Sequence, residues 1–286
     1  MNKKILIICV IILLSIKSMS FAEEEISVEG IEIPVLMYHH ISDDITSQAV
    51  VTAEKFEEDL ITLKSAGYET IFLDELASYL QGQGELPEKP ILITFDDGYY
   101  SNYEFAYPLA KKYDMKITIS VIGWSVGRDS FIYKDAPIIP HFNYEEAAEM
   151  LDSGYVDFQN HTYDLHNQKG LSLGGNRKVN TGVLPFPMES MTRYKSRIAL
   201  DLFKYNYQMY THLKSVPKFL FYPYGAYGDA IESFRYDMGF QGSFLTLEGV
   251  RKFESMEDLK KVPRLNVDNH LKGDELLKAI EKLEKK

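Results

Sequence analysis

The chain has 286 residues, with 31 Lys+Arg, 42 Asp+Glu and a single Cys. Apolar residues make up 45% and charged residues 26%, values that exclude extensive disorder, a collagen-like repeat and a polytopic membrane protein. A formal charge of -11 argues against a nucleic-acid binder, which would neutralise phosphates with a basic face.

Lys3 and Lys4 precede an apolar run from Ile5 to Ile16, and Ser20-Phe21-Ala22 places small residues where a signal peptidase cuts. This pattern predicts a signal peptide over 1–22 and a secreted or cell-surface protein. The run is shorter than the ~20 residues that span a bilayer as a helix, and an uncleaved anchor reaching Phe21 is the alternative. Cleavage would remove Lys3, Lys4 and Lys17, taking the charge from -11 to -14, and would also remove Cys9. A metal site in the mature chain then has imidazole and carboxylate ligands rather than thiolate.

Residues 23–30 read as a polar leader and 31–286 as one domain. A first strand is expected over 31–39. A helix over 53–66 follows from Phe56, Leu60, Ile61 and Leu63 at helical spacing, with Gly67 as its stop. Thr70 to Leu73 reads as a short strand and 74–80 as a short helix. Pro90-Ile91-Leu92-Ile93-Thr94-Phe95 is a continuous apolar run, the mark of a strand covered on both faces. Helices follow at 100–113, at 144–151 behind an Asn143 cap, at 188–213 and at 229–238. Strands are expected at 117–122, 156–159, 219–222 and 242–247, and a charged amphipathic helix ends the chain over 273–286. Seven strands with intervening helices predict an α/β fold, an irregular (β/α)7 barrel forming a single domain. Residues 167–188, with four glycines, are a loop long enough to be functional or mobile.

The polar residues collect where predicted strands end. His39 and His40 end the first, Asp96-Asp97-Gly98 follow Phe95, His161 and His166 follow Gln159, and Pro223-Tyr224-Gly225 end another. In a parallel barrel these ends converge on one rim. Two imidazoles and a carboxylate form a three-ligand set that leaves a coordination position open. Asp96-Asp97 before Gly98 also reads as turn chemistry or a helix cap. Beside a cation, however, one acid can ligate while the other acts as a general base.

Together, Ile93-Thr94-Phe95-Asp96-Asp97-Gly98-Tyr99, His161-Thr162-Tyr163-Asp164-Leu165-His166 and Tyr222-Pro223-Tyr224-Gly225 resemble the polysaccharide deacetylases of carbohydrate esterase family 4, the NodB homology domain. Pro34-Val35-Leu36-Met37-Tyr38-His39-His40-Ile41 resembles the subgroup acting on poly-β-1,6-N-acetylglucosamine in biofilm exopolysaccharide. The resemblance implies a polysaccharide substrate and a divalent metal ion, usually zinc, held by Asp97, His161 and His166. It implies Asp96 as catalytic base, the Tyr224 backbone N–H as oxyanion donor and His39 as catalytic acid, with His40 and His270 as alternatives. Many relatives carry an Arg where this chain has Phe221; Arg264 is the candidate substitute that steadies the base, and a surface Arg at a strand start is the competing reading. Peptidoglycan, chitin oligomers or xylan are alternative substrates, and an inactive sugar-binding protein is the alternative of another class.

Overall fold

The structure, a computed structural model, describes residues 28–132, 135–166, 182–186 and 188–284. The predicted signal segment and most of the 167–188 loop lie outside the described residues.

Seven strands form the central sheet: Val35–Tyr38 (β1), Pro90–Phe95 (β2), Ile117–Val121 (β3), Val156–Asn160 (β4), Phe219–Phe221 (β5), Gly242–Phe244 (β6) and Leu265–Asn266 (β7). Their order is β6-β5-β4-β3-β2-β1-β7, and every pairing is parallel. The stretch 262–266 touches both edges of this curled sheet. Val262 bridges Phe244, while Leu265 and Asn266 pair with Leu36 and Met37. The sheet is thereby drawn round into an irregular barrel, and its C-terminal strand ends share one rim.

All residues of β1, β2 and β3 are buried, as covered parallel strands require. Pro90 sits at the first position of β2, where the lost N–H is tolerated. Helix Ala53–Ser65 (α1) is capped by the Thr52 side chain and buries Phe56, Leu60 and Leu63. Leu73–Leu80 (α2) and Tyr107–Lys112 (α3) follow. Tyr144–Asp152 (α4) begins with the expected Asn143 cap, completed reciprocally by Glu146. Met191–Leu213 (α5) starts at a Ser190 cap, three residues after the expected start, and buries Tyr194, Ile198, Leu202, Tyr205 and Met209 along one face. Asp229–Phe234 (α6) and Asp274–Glu284 (α7) complete the set. No described helix is long and apolar enough to cross a membrane.

Four local expectations change. The 31–39 strand is two pieces, because Pro34 has no N–H to continue a ladder. Ile31–Ile33 instead pairs antiparallel with Arg251–Phe253. The strand expected at 70–73 is only Glu69–Thr70, paired beside the start of β2 and off the main path, because the chain turns helical at Leu73. The seventh barrel strand is Leu265–Asn266, two residues too short to show any period. The helix expected from residue 100 does begin there, but it passes through a π-helical turn, Asn102–Ala106, before running into α3.

Candidate active site and metal centre

β2 delivers two adjacent acids to the rim and a tight turn separates them. Asp97 and Gly98 both lie in the left-handed region, with φ of 77° and 84°. Asp adopts this conformation more readily than most residues. A Cβ at Gly98 would approach Val121 Cγ1 to 2.8 Å, so both the backbone and the space favour glycine. The two carboxylates consequently meet different partners.

Asp96 is buried and ion-paired to Arg264. Arg264 Nη1 and Nη2 donate to Asp96 Oδ1 and Oδ2 at 2.8 and 2.7 Å, a bidentate arrangement. Arg264 also donates from Nε to the Leu245 carbonyl at 2.8 Å and from Nη1 to Thr94 Oγ1 at 3.1 Å. Ser120 Oγ donates to Asp96 Oδ1 at 2.7 Å. Burial by itself would raise the Asp96 pKa, but Arg264 and the nearby imidazoles hold it well below the usual carboxylate range. Arg264 is fully buried, which overturns the surface alternative, and its guanidinium lies 4.9 Å from the centre of the Phe221 ring. The side chain that occupies the expected arginine position thus packs against the arginine that meets the acid.

Asp97 turns to the histidines. Its Oδ1 is buried, makes no formed hydrogen bond, and lies 3.4 Å from His161 Nε2 and 3.2 Å from His166 Nε2. One donor atom from each of the three residues falls within 4.8 Å of the others. His161 Nδ1 lies 2.9 Å from the Phe221 carbonyl, an oxygen that can only accept, so Nδ1 carries the proton and Nε2 presents its lone pair to the site. At His166, burial lowers the pKa but the Asp97 carboxylate outweighs it and the net shift is upward. An orphaned buried carboxylate oxygen facing two imidazole nitrogens is the arrangement a divalent cation fits. Tyr224, at φ 57°, brings its hydroxyl within 3.2 Å of His166 Nδ1.

His39, at the end of β1, completes the group. Its Nε2 lies 3.9 Å from Asp96 Oδ2, and its Nδ1 is buried without a hydrogen-bond partner. Burial lowers its pKa, against the pull of Asp96 and Asp97. His40 is directed elsewhere, with Nδ1 2.8 Å from Ser101 Oγ and its ring 5.1 Å from Tyr99. His270 is exposed; its backbone N–H donates to Asp268 and its carbonyl accepts from Lys272 N, and no described contact places its ring at the site. His212 stacks on Tyr144 with ring centroids 3.9 Å apart, away from these residues. Asp96, Asp97, His39, His161, His166, Tyr224 and Arg264 therefore share one rim. Sequence reasoning missed Ser120, which donates to Asp96, and Tyr99, which hydrogen-bonds the Asp97 carboxylate. Ser120 lies on β3 beside Asp96 and Tyr99 follows the acid turn, but neither residue type signals chemistry by itself.

Residues 83–243, more than half of the chain, match the family model described as polysaccharide deacetylase. The chain belongs to the polysaccharide deacetylase family. Over 179 residues it is 31% identical to the poly-β-1,6-N-acetyl-D-glucosamine N-deacetylase of Staphylococcus aureus, covering 63% of this chain and 55% of that protein. The chain spans about half the length of the curated relatives it matches. Among solved structures, the de-N-acetylase from Aggregatibacter actinomycetemcomitans superposes with a TM-score of 0.75 at 22% identity, over 87% of this chain and all of that one. IcaB from Ammonifex degensii superposes with a TM-score of 0.71 at 25% identity, over 88% and 97%.

Proposed function

We propose that the protein is an exported, metal-dependent N-deacetylase that removes acetyl groups from the N-acetylglucosamine units of poly-β-1,6-N-acetylglucosamine. The observation that carries the reading is the division of the adjacent acids: Asp96 is locked to Arg264, and Asp97 leaves an unbonded oxygen before His161 and His166. The similarity to the staphylococcal enzyme supports the substrate, and the amino-terminal pattern supports export.

Asp97, His161 and His166 would hold the divalent ion, which we take to be zinc. When bound, such an ion acts as a Lewis acid toward the acetyl carbonyl and makes nearby water more acidic. Asp96 accepts the proton of the attacking water. Arg264 keeps this base ionised across the physiological range, and the same charge makes it a weak base that depends on an acidified water. The Tyr224 backbone N–H donates to the developing oxyanion, a contribution of about 3–4 kcal/mol for one such donor. His39 gives a proton to the departing nitrogen. The products are acetate and a free amine on the sugar.

Acetate release from a β-1,6-linked N-acetylglucosamine pentamer, compared with chitopentaose and acetylated xylan, with and without chelator, tests the proposal. The expected result is release from the β-1,6 pentamer that chelator abolishes and zinc restores. Preference for another polymer would reassign the substrate. No release from any substrate with zinc present would favour an inactive sugar-binding protein.

A further inference from the structure

The segment joining the two histidines reverses direction in five residues, with Thr162 at φ 69°. Its backbone N–H groups face inward and need acceptors. Each of four successive groups finds a side-chain oxygen. Thr162 N donates to Asn160 Oδ1 at 2.7 Å, and Leu165 N to Thr162 Oγ1 at 3.3 Å. The two between them, Tyr163 N and Asp164 N, donate to Asp201 Oδ1 and Oδ2 at 2.7 and 2.8 Å. Asp201 comes from the middle of α5, so a single carboxylate from a distant helix holds the apex of this loop. The Thr162 and Tyr163 carbonyls accept from Gly123 N and Trp124 N, both at 3.0 Å, which ties the other side of the loop to the chain after β3. Lys204, one turn along α5, lies over the Tyr163 ring at 3.6 Å from its centroid.

His161 is also fixed through its own Nδ1 at the Phe221 carbonyl, whereas the His166 ring meets the Tyr224 hydroxyl at Nδ1. The distance between the two imidazoles is therefore set by the curvature of the loop. We infer that Asp201 is a positioning residue for the metal centre: it sets the approach of His166 to Asp97 and His161 by clamping Tyr163 N and Asp164 N. Only a carboxylate suits this role. An amide of the same shape offers one acceptor oxygen and turns an NH2 group toward the second N–H. Outer-shell groups that orient metal ligands commonly affect metal affinity by about 10–100-fold.

This inference rests on the metal reading, and the experiment separates the two. Zinc dissociation constants are measured by competition with a chromophoric chelator, alongside thermal unfolding of the metal-free proteins. Asp201→Asn should weaken zinc binding by about 10–100-fold. Tyr205→Phe, which removes the 2.7 Å bond from the same helix to the Gln159 carbonyl, should lower the melting temperature and leave zinc affinity unchanged. If Asp201→Asn does not fold, Asp201→Ser, which retains one acceptor, should bind zinc with intermediate affinity. Wild-type affinity in Asp201→Asn, or equal loss of affinity in Tyr205→Phe, overturns the inference alone. A wild-type protein that takes up no zinc overturns it together with the metal reading.

Discussion

Replacing Arg264 with methionine isolates the ion pair beside the base. Methionine keeps much of the length of the side chain but donates nothing. Four hydrogen bonds disappear: two to Asp96, one to Thr94 and one to the Leu245 carbonyl. Asp96 then stays buried, with Ser120 as its remaining side-chain donor and His39 Nε2 3.9 Å away. Removing one member of a buried pair leaves an uncompensated charge and costs about 3–5 kcal/mol. For a domain of this size, about 2 °C of melting temperature corresponds to each kcal/mol, so the midpoint should fall by about 6–10 °C. The Asp96 pKa should rise, moving the acid limb of the kcat/KM profile to higher pH, and the His39 pKa should rise too, because Arg264 is one of the charges depressing it. The double variant Asp96→Asn/Arg264→Met removes both charges and should be more stable than Arg264→Met alone. Calorimetry on the metal-free proteins, with pH–rate profiles on the loaded ones, reads these effects. A melting shift under about 2 °C with an unmoved acid limb would refute the reasoning.

His39→Ala should keep stoichiometric zinc and lose about 10²–10⁴-fold in kcat, since it removes a proton donor and no ligand; near-normal turnover would pass the acid role to His40. Asp97→Ala should lose both zinc and turnover, and stoichiometric zinc in the purified variant would disprove the ligand set. His141 supplies a pH test. Burial depresses its pKa from 6.5 to about 4, so the folded state excludes a proton that the unfolded chain takes up below pH 6.5. Its contribution is complete above about pH 6.5 and lost as pH falls toward about 4, by up to about 3 kcal/mol. In urea unfolding of the metal-free proteins, the stability of wild type relative to His141→Gln should therefore fall as pH is lowered through this window; an unchanged difference would show that His141 does not titrate as described.

Much of the architecture is legible without coordinates because its signals are local. The Asn143 cap, the helical spacing of Phe56, Leu60 and Leu63, and the unbroken apolar run of β2 are written in neighbouring residues. Parallel connections then require the ends of these strands to share a rim, so acids and histidines placed after strands could be grouped before any distance was known. What the local pattern does not contain is which distant side chain meets which. Arg264 reaches Asp96 across 168 residues because the 262–266 segment bridges β6 and β1 and carries the arginine inside. Its neighbours Pro263 and Leu265 are equally compatible with a surface strand, hence the two readings open at that position. Asp201 looks like one polar position on an amphipathic helix, and only the packing of α5 against the loop after β4 shows what it holds. Propensity and period depend on residues a few positions apart and survive in the sequence; partner choice depends on how the sheet curls, and the tertiary structure alone decides it.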